Sequence, residues 1–408
     1  MIINSLLDTD FYKFTISQYA WKHHNDVIAK FEFMNRSNIE LRYHIDIESL
    51  DEEIEHLGNL RFTDDEILYL ESLYVFDNQF LKELKELDLS KCINVIYNAT
   101  DFRVESSGLW WEASLAETFV LSIINELYIN SFNKFTKKDL SLIHHDACID
   151  SISSHRNTLQ RYFDNGDYNT LVDFGTRRRA GYRTQEYVNS IFSNLPFFSG
   201  TSNVFFSRMF GTNPIGTYAH EIPMIIGGLF LGHGKEVAIM KQQEILDKWK
   251  EMYYPETPLI ALPDTFGSNH FFDHVFTKDR AEKWNGIRHD SGDPKQFGYK
   301  VIEFYESYGI DPKTKSIVFS DGLDINNIID LYREFSKKIN VKFGWGTNLT
   351  NNGIFKPLSI VMKPTMTMMN SQDYIHPVIK FSDDKGKISN KNKNTLQKFS
   401  EVYEYEIK

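Results

Sequence analysis

Short apolar runs alternate with amphipathic segments along the chain from about residue 171 onward. The apolar runs are 171–174, 214–217, 259–262, 286–288, 317–319 and 341–343. The segments between them have apolar residues at helical spacing, most clearly in 235–253, 295–308 and 325–338. Strands that alternate with helices predict repeated βα units and a parallel sheet.

Polar side chains recur where these runs end. They are Asp173, His220, Asp264, Arg288, Asp290, Asp321 and Thr347. In a (β/α) barrel the active site lies at the carboxyl ends of the strands, where the following loops direct side chains to a common centre. The pattern therefore predicts a (β/α) barrel with an active site, in which His220 lies at a strand end.

The two ends of the chain have a different pattern. Apolar runs at 29–34 and 93–97 predict strands, and the spacing of apolar residues in 111–129 predicts a helix that faces the core. After about residue 353 the β-like pattern returns. We therefore divide the chain into an N-terminal α/β domain at 1–130, a barrel-like catalytic domain at 131–352 and a C-terminal segment at 353–408.

The bulk composition excludes several classes of protein. A net charge of -11 argues against general nucleic-acid binding, which needs a wide basic face. The longest apolar stretch, 222–231, is too short to cross a bilayer. Cys92 and Cys148 cannot form a disulfide framework, and no leader sequence is visible, so we expect a cytoplasmic protein with reduced thiols.

A set of short motifs adds a family resemblance to this interpretation. They are DTDFYK at 8–13, DFGTRRR at 173–179, GTSN at 200–203, PIGTYAHEIP at 214–223, LPDT at 262–265, RHDSG at 288–292, FSDG at 319–322 and GWGTN at 344–348. Together they resemble the nicotinate phosphoribosyltransferase family. That family belongs to the type II phosphoribosyltransferases and makes nicotinate mononucleotide for NAD synthesis in an ATP-coupled reaction.

The resemblance implies a fold, a reaction and a set of partners. The fold would be an irregular (β/α) barrel beside an α/β domain that both chain ends build. Nicotinate would displace pyrophosphate from phosphoribosyl pyrophosphate, with ATP as co-substrate. The base would stack between Phe174 and Tyr12, and in this family the tyrosine tends to come from a second subunit, which implies a homodimer with shared active sites.

The nicotinate carboxylate needs a cation and hydroxyl donors. By resemblance, Arg288 is the cation, since a guanidinium meets a carboxylate with two parallel hydrogen bonds. Ser202 and Thr217 are the candidate donors. Related nicotinamide enzymes carry an aspartate at the position of Ser202, which would accept from an amide and repel an acid.

The phosphoribosyl group needs carboxylates, cations and backbone amides. By resemblance, Asp264 and Asp290 face the ribose, and Mg²⁺ arrives on the pyrophosphate without a site made of protein side chains alone. Arg36 and Arg177 resemble the family's phosphate-contacting arginines. The remaining phosphate-site candidates are Asp321, Gly346 and Thr347.

The coupling to ATP needs a phosphoryl acceptor. By resemblance this is His220, because a neutral imidazole is a good nucleophile near pH 7 and the family's histidine is transiently phosphorylated. Two alternatives remain open, a nicotinamide phosphoribosyltransferase and a catalytically silent barrel that only binds a ligand. His270 and His274 are four residues apart but lack the HExxH glutamate, and 144–146 is interpreted as a loop.

Overall fold

A computed structural model of the chain describes residues 1–97, 102–135, 139–163, 168–371, 374–390 and 392–407. The strands in these parts are, in chain order, β1 (Val27–Asn35), β2 (Ile93–Tyr97), β3 (Phe102–Leu109), β4 (Leu171–Asp173), β5 (Phe198–Thr201), β6 (Asn213–Pro214), β7 (Ile260–Ala261), β8 (Gly286–His289), β9 (Ser316–Phe319), β10 (Asn340–Trp345), β11 (Ile360–Met369) and β12 (His376–Pro377).

The α-helices in the same parts of the chain begin and end as follows. They are α1 (Phe11–His23), α2 (Ile47–Asn59), α3 (Asp64–Ser72), α4 (Asn78–Lys85), α5 (Trp110–Ala113), α6 (Ala116–Ser131), α7 (Leu140–Tyr162), α8 (Tyr182–Phe192), α9 (Val204–Phe210), α10 (Glu221–Phe230), α11 (Lys235–Tyr253), α12 (Ser268–His270), α13 (Lys278–Lys283), α14 (Pro294–Ser307), α15 (Ile325–Phe335), α16 (Thr347–Thr350) and α17 (Lys393–Tyr403).

Seven of the strands form one curled parallel sheet, in the order β6-β5-β4-β10-β9-β8-β7. Each neighbouring pair in this sheet is parallel. Helices connect the strands because parallel neighbours need a crossover. The predicted irregular (β/α) barrel is confirmed, in the form of a half-barrel.

The other five strands form an antiparallel sheet in the order β12-β11-β1-β3-β2. Strand β11 pairs with β1 along its length, from Ile360 opposite Asn35 to Met369 opposite Val27. The C-terminal part of the chain therefore completes the sheet that the N-terminal part begins, as the fold prediction requires. Buried side chains of both sheets, such as Phe31 and Phe343, belong to one apolar core.

The start of α1 is attached directly to the parallel sheet. Asp10 forms a β-bridge with Asn203, and the Phe11 N–H donates to the Ser202 carbonyl at 2.7 Å. Gly216 makes this approach possible, because a Cβ there would lie 2.9 Å from the Tyr12 nitrogen. Tyr12 is thereby held at the carboxyl end of the parallel strands.

The prediction that His220 ends a strand is wrong. Strand β6 stops at Pro214, residues 215–219 have no regular structure, and His220 immediately precedes α10. Proline cannot donate to a strand ladder, which limits the strand at this point. The histidine still reaches the carboxyl end of the sheet, but from the start of a helix.

Three other features of the pattern also differ from the structure. Residues 144–146 are helical, because they lie inside α7, whose first turn is capped by the Asp139 side chain on the Leu142 N–H. The helix predicted at 111–129 is divided into α5 and α6. Strands β3 and β5 were not among the predicted strands. Strand β5 is only four residues long and contains Ser199 and Gly200.

Candidate active site

A cavity of about 490 Å³ opens at the carboxyl end of the parallel sheet and faces β11. The structure brings ten of the thirteen predicted site residues into its wall: Tyr12, Arg36, Phe174, Arg177, His220, Arg288, Asp290, Asp321, Gly346 and Thr347. The other three, Ser202, Thr217 and Asp264, are buried close behind it. Thr217 contacts Arg288 of the wall, and Asp264 contacts Lys380 of the wall. Ser202 is connected only indirectly, because it donates to Asp10, which pairs with Arg177.

His220 lies between acidic and basic side chains. Its Nδ1 is 2.9 Å from the Thr265 hydroxyl, while Nε2 lies 3.0 Å from Asp290 Oδ2 and 2.8 Å from Lys380 Nζ. Burial, opposed by the charge of Asp264, lowers the pKa of His220 to about 4. The imidazole is therefore neutral near pH 7 and keeps one nitrogen lone pair for use as a nucleophile.

Two carboxylates and one ammonium complete this centre. Lys380 Nζ lies 2.8 Å from Asp264 Oδ2 and 3.6 Å from Asp290 Oδ2. Burial raises the pKa of Asp264, but the neighbouring His220 ring and the Lys380 ammonium outweigh it, and the pKa lies below its ordinary value. His220, Asp264 and Asp290 also satisfy the spacing of a metal site, but here the Lys380 ammonium already contacts both carboxylates.

Arg288 is held by three partners in a fixed orientation. Its Nε donates to Ser320 Oγ at 2.7 Å, Nη1 to Thr217 Oγ1 at 3.0 Å and Nη2 to Asp290 Oδ1 at 2.7 Å. Its guanidinium carbon lies 5.6 Å from the centre of the Phe174 ring. Two guanidinium N–H groups remain for a ligand in the cavity, since arginine has five donors.

Two aromatic rings border the cavity. Phe174 follows β4, and Tyr12 lies in the first turn of α1. Both belong to the same chain, so this chain alone supplies two rings to one cavity. Burial, together with the charge of Glu117, raises the pKa of the Tyr12 hydroxyl above its ordinary value, although Arg177 opposes the rise. The phenol is therefore uncharged at neutral pH.

Gly344 provides the space for the Phe174 ring. A Cβ at position 344 would lie 2.3 Å from two of the ring carbons. We expect Gly344→Ala to displace the ring and to lower the free energy of unfolding by about 1–3 kcal/mol, the ordinary cost of overpacking. Urea unfolding would measure this. Gly232→Ala is the matched control, because nothing lies near that position, and equal stability of the two variants would contradict the expectation.

The three consecutive arginines have three different environments. Arg177 Nε pairs with Asp10 at 3.3 Å, and its Nη1 pairs with Glu117 at 3.5 Å. Arg178 lines the cavity, and burial and Arg177 lower its pKa to about 10.

Arg179 does not line the cavity, and its contacts stabilise the fold. It is fully buried and pairs with Asp8 at 2.7 Å and with Glu126 at 2.8 Å. Through these two ion pairs, Arg179 connects the segment that precedes α1 with helix α6. Glu221, next to His220, also has a structural role: its carboxylate pairs with Lys13 at 2.6 Å and accepts from the Trp110 indole at 2.6 Å.

Cations dominate the cavity wall. Among its described lining residues, eight are basic and four are acidic. The basic ones are Arg36, Arg177, Arg178, Arg288, Lys356, Lys363, Lys380 and Lys387. Although the chain carries a net charge of -11, this cavity therefore suits a ligand with several negative charges.

Several residues of this wall were missed by reasoning from the sequence. Lys380 and Lys387 lie in the C-terminal segment, far along the chain from the barrel motifs. Lys363 lies on β11, where burial and nearby Lys380 hold its pKa well below the ordinary value. Thr265 is buried behind the wall, where it contacts His220. It belongs to the LPDT motif, which is the one sequence signal that could have identified it.

The phosphate-site candidates lie at the end of β10 and β9. Gly346 immediately precedes the short helix α16, which begins at Thr347. The first N–H groups of a helix have no acceptor within it and are available to a ligand. Asp321 pairs with Lys387 at 2.6 Å, so the acid lies beside a cation rather than alone.

Among the described residues, no helix combines the length and the apolar character that a membrane span requires.

Comparison with known proteins gives the same family along the whole chain. Residues 169–407 match the model of the nicotinate phosphoribosyltransferase (NAPRTase) family, and residues 7–125 match that of the nicotinate phosphoribosyltransferase N-terminal domain. A nicotinate phosphoribosyltransferase of Buchnera aphidicola is 34% identical, over 100% of this chain and 98% of the relative. One of Proteus mirabilis is 34% identical, over 95% and 92%.

Solved structures agree with the sequence comparison. The crystal structure of a nicotinate phosphoribosyltransferase from Porphyromonas gingivalis has a TM-score of 0.86 and 28% identity, and covers 98% of this chain and 100% of its own. One from Vibrio cholerae has a TM-score of 0.86 and 30% identity, over 100% and 95%. The similarity extends over both sheets and the cavity between them.

Proposed function

Because the chain belongs to the nicotinate phosphoribosyltransferase family, we propose that it joins nicotinate to phosphoribosyl pyrophosphate. The nicotinate ring nitrogen attacks C1 of the ribose, the bond to pyrophosphate breaks, and nicotinate mononucleotide forms. We further propose that ATP hydrolysis is coupled to this transfer through phosphorylation of His220, in NAD biosynthesis by salvage in the cytoplasm.

The neutral His220 in a cation-lined cavity is the observation that carries the proposal. In the coupling step, the unprotonated ring nitrogen attacks the γ-phosphorus of ATP, the bond to the ADP oxygen breaks, and ADP leaves. Water later cleaves the phosphoramidate and releases phosphate. Lys380, at 2.8 Å from Nε2, is placed to balance the charge that the phosphoryl group brings.

The basic wall supports the binding of two highly charged substrates. Phosphoribosyl pyrophosphate and ATP each carry several phosphate charges, and Arg36, Arg178, Lys363 and Lys387 line the cavity. Among the described residues, Lys363 has no ion-pair partner within 4.0 Å. Burial holds its pKa below the ordinary value, and a phosphate bound beside it would favour the charged form. The N–H groups at the start of α16 and the Thr347 hydroxyl would hold the 5′-phosphate.

The two aromatic rings and the guanidinium support a flat, acidic base. Phe174 and Tyr12 border the cavity, and the guanidinium of Arg288 is 5.6 Å from the Phe174 ring centre. A pyridine on that ring would place its carboxylate near the two remaining Arg288 donors. Tyr12 of the same chain lines the cavity together with Phe174. The homodimer with shared active sites stays a prediction.

The ribose and its leaving group would meet carboxylates and Mg²⁺. Asp290 and Asp321 line the cavity and offer the oxygen ligands that Mg²⁺ prefers. Asp264 and Asp290 already contact Lys380, so the residues fit a Mg²⁺ that the pyrophosphate brings better than a separate protein-bound ion. Bound there, Mg²⁺ neutralises charge on the departing pyrophosphate. Asp290 itself stabilises positive charge on the ribose.

Ser202 acts on the base site through Asp10. Its hydroxyl donates to Asp10 Oδ1 at 2.6 Å, and Asp10 pairs with Arg177. We expect Ser202→Asp to place two carboxylates together and to lower kcat/KM for nicotinate. Ser202→Ala is the matched control, which removes one hydrogen bond at a cost of about 0.5–1.5 kcal/mol. Steady-state kinetics and urea unfolding of both variants would be measured, and wild-type values for Ser202→Asp would refute this arrangement.

One assay tests the proposed function against its alternatives. Pyrophosphate release is measured with nicotinate or nicotinamide, each with and without ATP. Release with nicotinate, increased by ATP, supports the proposal. Faster pyrophosphate release with nicotinamide would identify a nicotinamide phosphoribosyltransferase. If neither base gives pyrophosphate release, the remaining interpretation is a catalytically silent barrel that only binds a ligand.

A further inference from the structure

A second group of metal-binding side chains lies outside the cavity, where the end of α17 meets the segment after β7. It consists of His270, His274 and Glu404, and one ligand atom of each lies within 4.8 Å of those of the others. His274 Nε2 is 2.9 Å from Glu404 Oε2. The glutamate that the sequence lacks near the two histidines is therefore supplied from 130 residues farther along the chain.

His270 carries the independent observation. Its side chain is buried, with 6% exposed, and neither ring nitrogen has a hydrogen-bond partner among the described residues. Buried polar groups in native proteins almost always have a partner.

The backbone between the two histidines has an unusual form. Phe271–Val275 is a π-helix that begins directly after His270 and includes His274. The centres of the two imidazole rings are 5.2 Å apart. π-helical turns are rare and occur frequently at functional sites. The turn brings both rings to the side on which Glu404 lies.

We propose that His270, His274 and Glu404 bind one Zn²⁺ ion, with water as the fourth ligand. Two imidazole nitrogens and a carboxylate oxygen form a ligand set that suits zinc and disfavours Mg²⁺. Zinc ligands in a tetrahedron are roughly 3.3 Å apart, given bond lengths of about 2.0–2.1 Å. The three ligand atoms all lie within 4.8 Å of one another, so each pair needs to close by at most about 1.5 Å.

The side chains that must move have room to do so. The side chains of His274 and Glu404 are 31% and 50% exposed. On binding, His274 Nε2 exchanges its contact with Glu404 for a bond to zinc. The proton on Nε2 passes through solvent to Nδ1, so that the ring binds as a neutral imidazole. Lys235 Nζ, at 2.5 Å from Glu404 Oε1, stays as an outer partner that orients the carboxylate.

Zinc at this position would fix two segments that also serve the cavity. The ring of Tyr403, next to Glu404, stacks on Phe266 at 3.7 Å, and Tyr405 stacks on Phe381 at 4.1 Å. Phe266 follows Thr265, which contacts His220, and Phe381 follows Lys380. The ion would thus be structural. It does not depend on the reaction that the cavity performs.

The test measures zinc binding by the full chain after removal of metal with a chelator. Calorimetric titration with ZnCl₂ in excess Mg²⁺ is expected to show one tight equivalent, and zinc is expected to raise the unfolding temperature. His274→Ala and Glu404→Gln should weaken binding by more than the roughly 10–100-fold that loss of an outer partner costs. Co²⁺ in place of zinc should give a tetrahedral absorption spectrum in the wild type only.

Two controls separate this site from other histidines. His233→Ala removes an exposed histidine outside the group and should leave zinc affinity unchanged. His220→Ala, in the cavity, should also leave it unchanged. Absence of tight zinc binding would overturn the proposal. Wild-type affinity in His274→Ala and Glu404→Gln, or loss of binding in His220→Ala, would overturn it as well.

Discussion

His220→Ala is expected to abolish ATP hydrolysis and the incorporation of labelled phosphate from γ-labelled ATP. Alanine offers no nucleophile, whereas the neutral imidazole does. Eight basic side chains are among the described residues that line the cavity around it. Acid-labile, base-stable label and ADP release are measured for the variant and the wild type. Nicotinate mononucleotide should still form slowly without ATP, since the residues proposed for the base and ribose remain.

The pH dependence of labelling gives an independent readout of the same residue. Because burial is the main cause that lowers the pKa of His220 to about 4, the ring stays neutral from pH 8 to pH 6. The fraction of reactive imidazole should therefore be constant over this range, and it decreases only as the pH approaches the lowered pKa. An ordinary histidine, with a pKa near 6.5, would lose most of its reactive form by pH 6.

His233→Ala is the matched control for loss of a histidine, because its side chain is exposed and lies outside the cavity. It should label like the wild type. Label that persists in His220→Ala, with an unchanged unfolding temperature, would show that another residue accepts the phosphoryl group.

Arg288→Lys is expected to raise KM for nicotinate by at least about tenfold, with a smaller change in KM for phosphoribosyl pyrophosphate. A hydrogen bond to a charged group contributes about 1.5–3 kcal/mol, and lysine keeps the charge but not the two parallel donors. The substitution also removes the Nε contact with Ser320 that orients the group. Initial rates with each substrate varied in turn would measure the two constants.

A second variant controls for the general effect of replacing arginine with lysine. Arg161→Lys changes an exposed residue near the end of α7 and should leave both constants unchanged. Equal increases in both KM values of Arg288→Lys would mean that Arg288 contacts a phosphate rather than the nicotinate carboxylate.

The alternation of apolar runs and helical segments was sufficient to predict the parallel sheet. Runs at 286–288, 317–319 and 341–343 correspond to β8, β9 and β10. Each contains a fully buried apolar residue (Ile287, Ile317 and Phe343), as a buried parallel strand requires. The run at 214–217 was less informative. Its proline and glycine limit the strand to two residues, and the approach of α1 determines the path of the chain from there to His220.

Only part of the candidate site could be predicted from the sequence. Residues that follow the barrel strands, such as Arg288 and Asp290, could be found from the strand pattern and the motifs. Lys380 could not be found, because it follows β12 in the C-terminal segment and reaches His220 only when that segment folds back over the cavity. A lysine in a polar stretch gives no local signal of such a contact.

Local pattern and motifs of a few residues were enough to identify the family, the βα order of the catalytic part and the charged residue types near the strand ends. The pairing of these charges became visible only in the folded chain: Lys380 meets Asp264, Arg179 meets Asp8, and Glu404 meets His274. Such pairs join residues more than 100 positions apart, and their partners are selected by burial and distance, which no short stretch of sequence encodes.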